Sequence, residues 1–95
     1  MSDNISFREI INNFIAEKRA VGYKYIKNEK HLRRVTLLYE QMGYNEPILT
    51  KDLVLKWTEK TLYEKESNRL HRISVIRGLA EYMQRMGYDA YFFPF

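Results

Sequence analysis

Ninety-five residues, 45% of them apolar and 15% aromatic, are enough for one domain with a single modest core and exclude a disordered chain. There is no cysteine and no apolar run near the roughly 20 residues that span a bilayer, so a disulfide scaffold, a thiolate metal site and a membrane-spanning helix are excluded too. The net charge of +4 is modest, so any preference for a polyanion has to come from how the charge is distributed.

The start, MSDNISFREI, is acidic and polar and does not read as a signal peptide, so the expectation is a soluble intracellular domain, with no membrane partner. Ser6-Phe7-Arg8-Glu9 fits a capping box, with Ser6 as N-cap and Glu9 reaching back to it, and Ile5 and Ile10 are spaced to staple that turn. Phe7, Ile11, Phe14 and Ile15 form an apolar stripe, which predicts a first helix running to about Ala20. One ending then recurs three times: Val21-Gly22-Tyr23, Met42-Gly43-Tyr44 and Met86-Gly87-Tyr88. Glycine enters the left-handed conformation that closes a helix, and the following Tyr is expected to fold back on the last turn.

The second helix is expected from Ile26 to about Met42, with Asn28, Leu32, Val35, Tyr39 and Met42 as its packing seam. At about 100° per residue, Lys27, Lys30 and Arg34 fall on another stripe roughly 120° away, while Arg33 points elsewhere. A loop containing Pro47 follows. Thr50 then caps a third helix, Lys51 to about Leu62, with Leu53 and Trp57 on its inner face and Asp52 favourably placed in its first turn.

The fourth helix covers ESNRLHRISVIRGLAEYMQRMG, with Ser67 as its expected N-cap. Ile73, Ile76, Leu79, Ala80, Met83 and Met86 make its buried stripe, widened by Val75 and Tyr82, so it is expected at the centre of the domain. Arg69 and Arg72 share the sector of that stripe. Either they overhang the end of the bundle, or their stems cover the core while their charged heads reach water. The aromatic tail YDAYFFPF is expected to pack across the bundle. No stretch has a strand period, so the fold class is all-α, a four-helix bundle forming one domain over residues 1–95.

Charge is concentrated in two segments. Residues 18–34 hold seven Lys or Arg against one acid, Glu29, and residues 65–77 hold four against Glu66, while the remainder is net acidic. That is the footprint of a polyanion-binding face; the alternative is two solvated helix surfaces. Free N–H groups behind Ser67 suit an anion, and Arg69 and Arg72 offer charge-assisted hydrogen bonds. Asn68 and His71 would reach base edges if the helix end entered a major groove. His31 and Arg34 form a His-x-x-Arg pair in mid-helix, a chance pattern with no catalytic partner. His31 and His71 lack further ligands at metal spacing, and there is no glycine-rich phosphate loop or Ser/His/Asp set. No active site, metal or cofactor is expected.

Several pieces match a known pattern in order and spacing across nearly the whole chain. They are Phe14; Gly22-Tyr23-Lys24-Tyr25; Leu49-Thr50-Lys51-Asp52-Leu53-Val54 with Trp57; Arg72-Ile73-Ser74-Val75-Ile76-Arg77; and Ala90-Tyr91 before Pro94. The Arg-Ile-Ser-Val-Ile-Arg stretch, followed by Leu79-Ala80, Tyr82-Met83 and Gly87, is the most specific. The chain resembles the N-terminal core-binding (SAM-like) domain of phage-type integrases, the tyrosine site-specific recombinases. The resemblance implies a SAM-like four-helix domain that clamps one face of a duplex attachment site, for DNA integration or another site-specific DNA recombination. Its second and fourth helices would face the DNA, with Lys27, Lys30 and Arg34 on one and Ser67, Asn68, Arg69, His71 and Arg72 on the other. It also implies a parent tyrosine recombinase whose catalytic domain, absent from this chain, would begin near Phe95. The chain itself would then bind double-stranded DNA without cutting it and is not expected to be an enzyme. Its further partners would be neighbouring recombinase protomers on DNA, the isolated domain being monomeric and its location cytoplasmic and nucleoid-associated. The alternative function is a helical protein–protein interaction module without specific DNA binding, with an exposed apolar patch around Tyr91, Phe92, Phe93 and Phe95.

Overall fold

A computed structural model describes residues 5–94; Phe95 and the first four residues, on which part of the signal-peptide reading rests, lie outside them. The described residues form four helices: α1 (Phe7–Ala20), α2 (Ile26–Gln41), α3 (Lys51–Thr58) and α4 (Glu66–Arg85). The all-α, four-helix architecture read from the sequence is the one observed.

The capping box opens α1 as expected: the Glu9 amide donates to Ser6 Oγ and the Ser6 amide donates to the Glu9 carboxylate. The three glycine stops share one geometry. Gly22, Gly43 and Gly87 have φ of +101°, +83° and +91°. In each case the amide of the following Tyr donates to a carbonyl five residues back: Tyr23 to Lys18, Tyr44 to Tyr39 and Tyr88 to Met83. Tyr44 and Tyr88 then pack on the core, whereas Tyr23 stays 61% exposed, so only two of the three fold back as expected.

Two helix ends differ from expectation, and both differences come from α4. Helix α3 stops at Thr58 instead of Leu62. The carbonyls that would continue it are taken from outside: Arg72 donates to Trp57 O and Glu59 O, and Arg69 Nε donates to Thr58 O at 2.9 Å. Helix α4 begins at Glu66 with Lys65 as N-cap, and Ser67 is an exposed residue within its first turn rather than the cap. The amides of Asn68 and Arg69 bond to Lys65 O, which sets the start earlier and displaces the anion site expected behind Ser67.

Helix α4 touches α1, α2 and α3, and α2 does the same for its three neighbours, while α1 and α3 do not meet. The bundle is therefore an α2–α4 pair with one helix on each side. Phe7, Ile11, Phe14, Leu32, Leu53, Ile76, Leu79 and Met83 fill the centre, and Phe7 stacks on Tyr39 with ring centroids 4.1 Å apart. Met42 and Met86, expected in the seams, lie beyond the last packed turn and are exposed. The tail crosses the bundle as expected. The Leu49 amide donates to Asp89 O and the Tyr91 amide to Leu49 O, and Tyr91, Phe92 and Phe93 are half-buried against the core. They do not form the exposed apolar patch that the protein-interaction reading anticipated; Phe95 is outside the described residues.

Candidate nucleic-acid interface

Helices α2 and α4 run in opposite directions along each other. Asn28 of α2 shares a cleft with Ser74 of α4, and Arg34 shares another with Asn68. Between the two clefts the His31 and His71 rings lie 5.1 Å apart, centroid to centroid. Lys27 lies close enough to His71 to act on its charge, and Arg34 shares its cleft with Asn68, so these two cations of α2 and the head of α4 are on one side of the bundle. His31 packs edge-on to Trp57 as well, and neither of its ring nitrogens has a hydrogen-bond partner among the described residues. Burial, followed by the nearby His71, Arg34 and Lys27, lowers the His31 pKa to about 4, and burial followed by Lys27 lowers that of His71. Both imidazoles are therefore neutral at pH 7. His31 is a packing residue, His71 packs on it with Nε2 buried and its rim partly exposed, and both leave the positive charge to the surrounding side chains.

The cations of residues 18–34 divide into two sets. Arg19 and Arg33 both bind Glu29, and Arg33 also donates to Asn12. Their hydrogen bonds hold the Glu29 carboxyl below its ordinary value. Lys27, Lys30 and Arg34 are exposed and form no ion pair or hydrogen bond among the described residues. Since Arg33 is spent on α1 and Glu29, the stripe singled out by spacing is also the one whose charge is uncompensated.

The head of α4 is less available than expected. Arg72 is only 7% exposed. Its guanidinium donates to Trp57 O, to Glu59 O at 2.9 Å and to both Glu64 oxygens at 2.6 and 2.7 Å, and it lies over the Trp57 ring. Every face is occupied, so Arg72 leaves the set of DNA contacts and becomes a tie between α3 and α4. Of the two alternatives for this side chain, it lids the core, but its head is sealed inside. Arg69 is half-buried and committed through Nε to Thr58 O, with a long 3.9 Å contact to Glu66. Asn68 Nδ2 donates to Glu64 at 2.6 Å, so its amide oxygen is the part left to a ligand. Ser67 is exposed, and His71 is partly exposed. The α4 contribution thus shrinks to Ser67, Asn68, one edge of Arg69 and the rim of His71.

The clefts add cations that no motif marked. Lys56 and Lys60 line the one beside Arg34, and Lys18 and Lys24 line the one beside Asn28 and Ser74, with no acid in that second set. Lys18 and Lys24 lie in the basic segment already visible in the sequence, so charge density was their signal. Lys56 and Lys60 had none, since α3 reads as a short helix of mixed charge. Among the described residues no group of three or more His, Cys, Asp or Glu is placed to hold a metal, and no helix is long and apolar enough to cross a membrane. No protein-family model, curated protein or solved structure matches the chain.

Proposed function

We propose that this domain is a duplex-DNA-binding module of the kind tyrosine recombinases carry beside their catalytic domain. The observation that carries the reading is the His31–His71 contact, beside which Lys27 and Arg34, unpaired among the described residues, lie next to the head of α4, with Lys30 following on the same stripe of α2. Lys18, Lys24 and Lys60 extend that side at both ends, while Lys56, in the same cleft as Lys60, is paired with Glu59 at 3.6 Å. In this reading the cations meet phosphates and supply most of the affinity, while Ser67, Asn68 and His71 are the groups near enough to sample base edges. Cutting and rejoining of strands would belong to a separate catalytic domain, and neighbouring protomers would meet on the DNA. The protein-interaction alternative loses support from its own tail, where Tyr91, Phe92 and Phe93 are half-buried against the domain's core.

The test is fluorescence anisotropy with a labelled duplex of about 20 base pairs, titrated at several salt concentrations. Each phosphate neutralised contributes a slope of about −0.9 in log affinity against log salt. The triple variant Lys27→Glu/Lys30→Glu/Arg34→Glu is expected to flatten that slope by about three and to abolish binding at physiological salt. Salt-independent association, or a triple variant that binds like the wild type, overturns the reading.

A further inference from the structure

Resting on the DNA-binding reading, we propose that the α3–α4 turn is an apolar wedge that enters the minor groove, with Leu62 and Tyr63 seated against a base step. These two consecutive residues are 81% and 95% exposed, the most exposed large hydrophobic side chains among the described residues. Tyr63 also has φ of +66°, a left-handed conformation that a bulky aromatic residue rarely adopts. Such a turn would ordinarily collapse onto the nearby core or fray. Here it is held from beneath: the Glu64 carboxylate accepts from the Thr61 amide and hydroxyl, from Asn68 Nδ2 and from Arg72. Arg72 is in turn anchored on the last carbonyls of α3. The result is a rigid base carrying two outward apolar side chains.

Charge selects the occupant. Lys60 and Lys65 flank the tip in sequence, and Lys60 and Thr61 line the cleft that contains Arg34. The acids in and beside the turn, Glu59, Glu64 and Glu66, each lie against a cation, Lys56, Arg72 and Arg69 respectively, which leaves Lys60 and Lys65 without an acidic partner among the described residues. A polyanion drawn to the α2 cations therefore meets the tip at the edge of the same cleft. Apolar side chains inserted between base steps partly unstack them and bend the duplex, and they find least resistance at flexible TA or CA steps. Phosphate neutralisation on each side of the insertion would come from Lys60 and Lys65.

The experiment uses a duplex with 2-aminopurine at a central TA step, the full chain, and the variant Leu62→Ser/Tyr63→Asn. Asparagine tolerates the left-handed φ, and both positions are exposed, so the variant keeps the backbone and the fold. Wild-type binding is expected to raise 2-aminopurine emission as the step unstacks. The variant should lose that rise and about tenfold in affinity, with an unchanged salt slope because no phosphate contact is removed. A variant that keeps both the rise and the affinity, or one whose salt slope falls with its affinity, overturns the wedge and leaves the DNA reading standing. So does a variant that binds DNA normally but no longer associates with a second copy of the chain, which would make the tip a protein contact. Absence of any wild-type binding overturns the DNA reading and the wedge together.

Discussion

Removal of Arg72 is the sharpest perturbation of the site. In Arg72→Met the apolar stem is largely retained, but the Glu64 carboxylate, whose side chain is 5% exposed, loses its ion pair. The carbonyls of Trp57 and Glu59 lose their guanidinium donor at the same time. Breaking one partner of a buried pair typically costs about 3–5 kcal/mol. Glu64 keeps Thr61 and Asn68 as donors, so a loss of about 3 kcal/mol is expected, a large share of the roughly 5–15 kcal/mol that holds a domain together. Glu64→Gln keeps one acceptor oxygen but turns an NH2, itself a donor, towards the donors on the other oxygen, and it leaves Arg72 without its counter-charge, so a similar loss of about 3 kcal/mol is expected. The double variant should cost less than the two single losses combined, by about 1 kcal/mol or more. Urea unfolding followed by circular dichroism reads the global loss, and fluorescence of the single Trp reports the local change, since Trp57 Nε1 donates to Arg72 O at 3.0 Å. A cost below about 1 kcal/mol for Arg72→Met, with strictly additive variants, would refute the structural role and return Arg72 to the candidate DNA contacts.

Four further outcomes follow from the same structure. The folded-state pKa of His31, about 4, lies below the ordinary 6.5, so the unfolded chain binds the extra proton between those values. Stability is then complete above pH 6.5 and falls as the pH drops towards 4, by about 1–3 kcal/mol, and His31→Leu should flatten that part of a stability–pH profile measured by urea unfolding. Glu64, held well below the usual carboxylate range by its Arg72 hydrogen bonds, adds a second loss on further acidification, beginning near the ordinary carboxylate value, which Glu64→Gln removes. Gly43→Ala should cost about 1–2 kcal/mol in thermal unfolding, because φ of +83° strains any side chain although nothing lies within 4 Å of the new Cβ. Gly78→Ala should instead stabilise by about 0.5–1 kcal/mol, since its Cβ would sit in the middle of α4 at an ordinary 3.6 Å from Phe14 Cζ.

Local signals carried most of the fold. Ser6 and Glu9 are three residues apart, and each Gly-Tyr stop is closed within its own turn, so those boundaries could be read directly. What stayed hidden depends on partners far along the chain. The early end of α3 follows from carbonyls captured by Arg69 and Arg72, which lie 11 to 15 residues on. The same capture removes Arg72 from the surface, and its angular position on α4 left both outcomes open. Ser67 looked like a cap because capping side chains are recognised by type, whereas the observed start depends on backbone bonds to Lys65. The stripe of Lys27, Lys30 and Arg34 was legible from periodicity alone, but its lack of acidic partners depends on Glu29 being engaged by Arg19 and Arg33. Leu62 could not be seen as exposed while α3 was expected to end on it, and Tyr63 was expected in the connection that follows.

The measurement closest to the central claim is a two-dimensional amide NMR titration of the domain with an unlabelled duplex at low salt. If α2 and α4 grip one polyanion, the shifted amides cluster at residues 27–34 and 60–71, and both groups saturate at the same duplex concentration. Shifts confined to the Arg8–Glu40 side of the bundle, or two groups that saturate independently, would mean that the two basic segments do not act on one ligand.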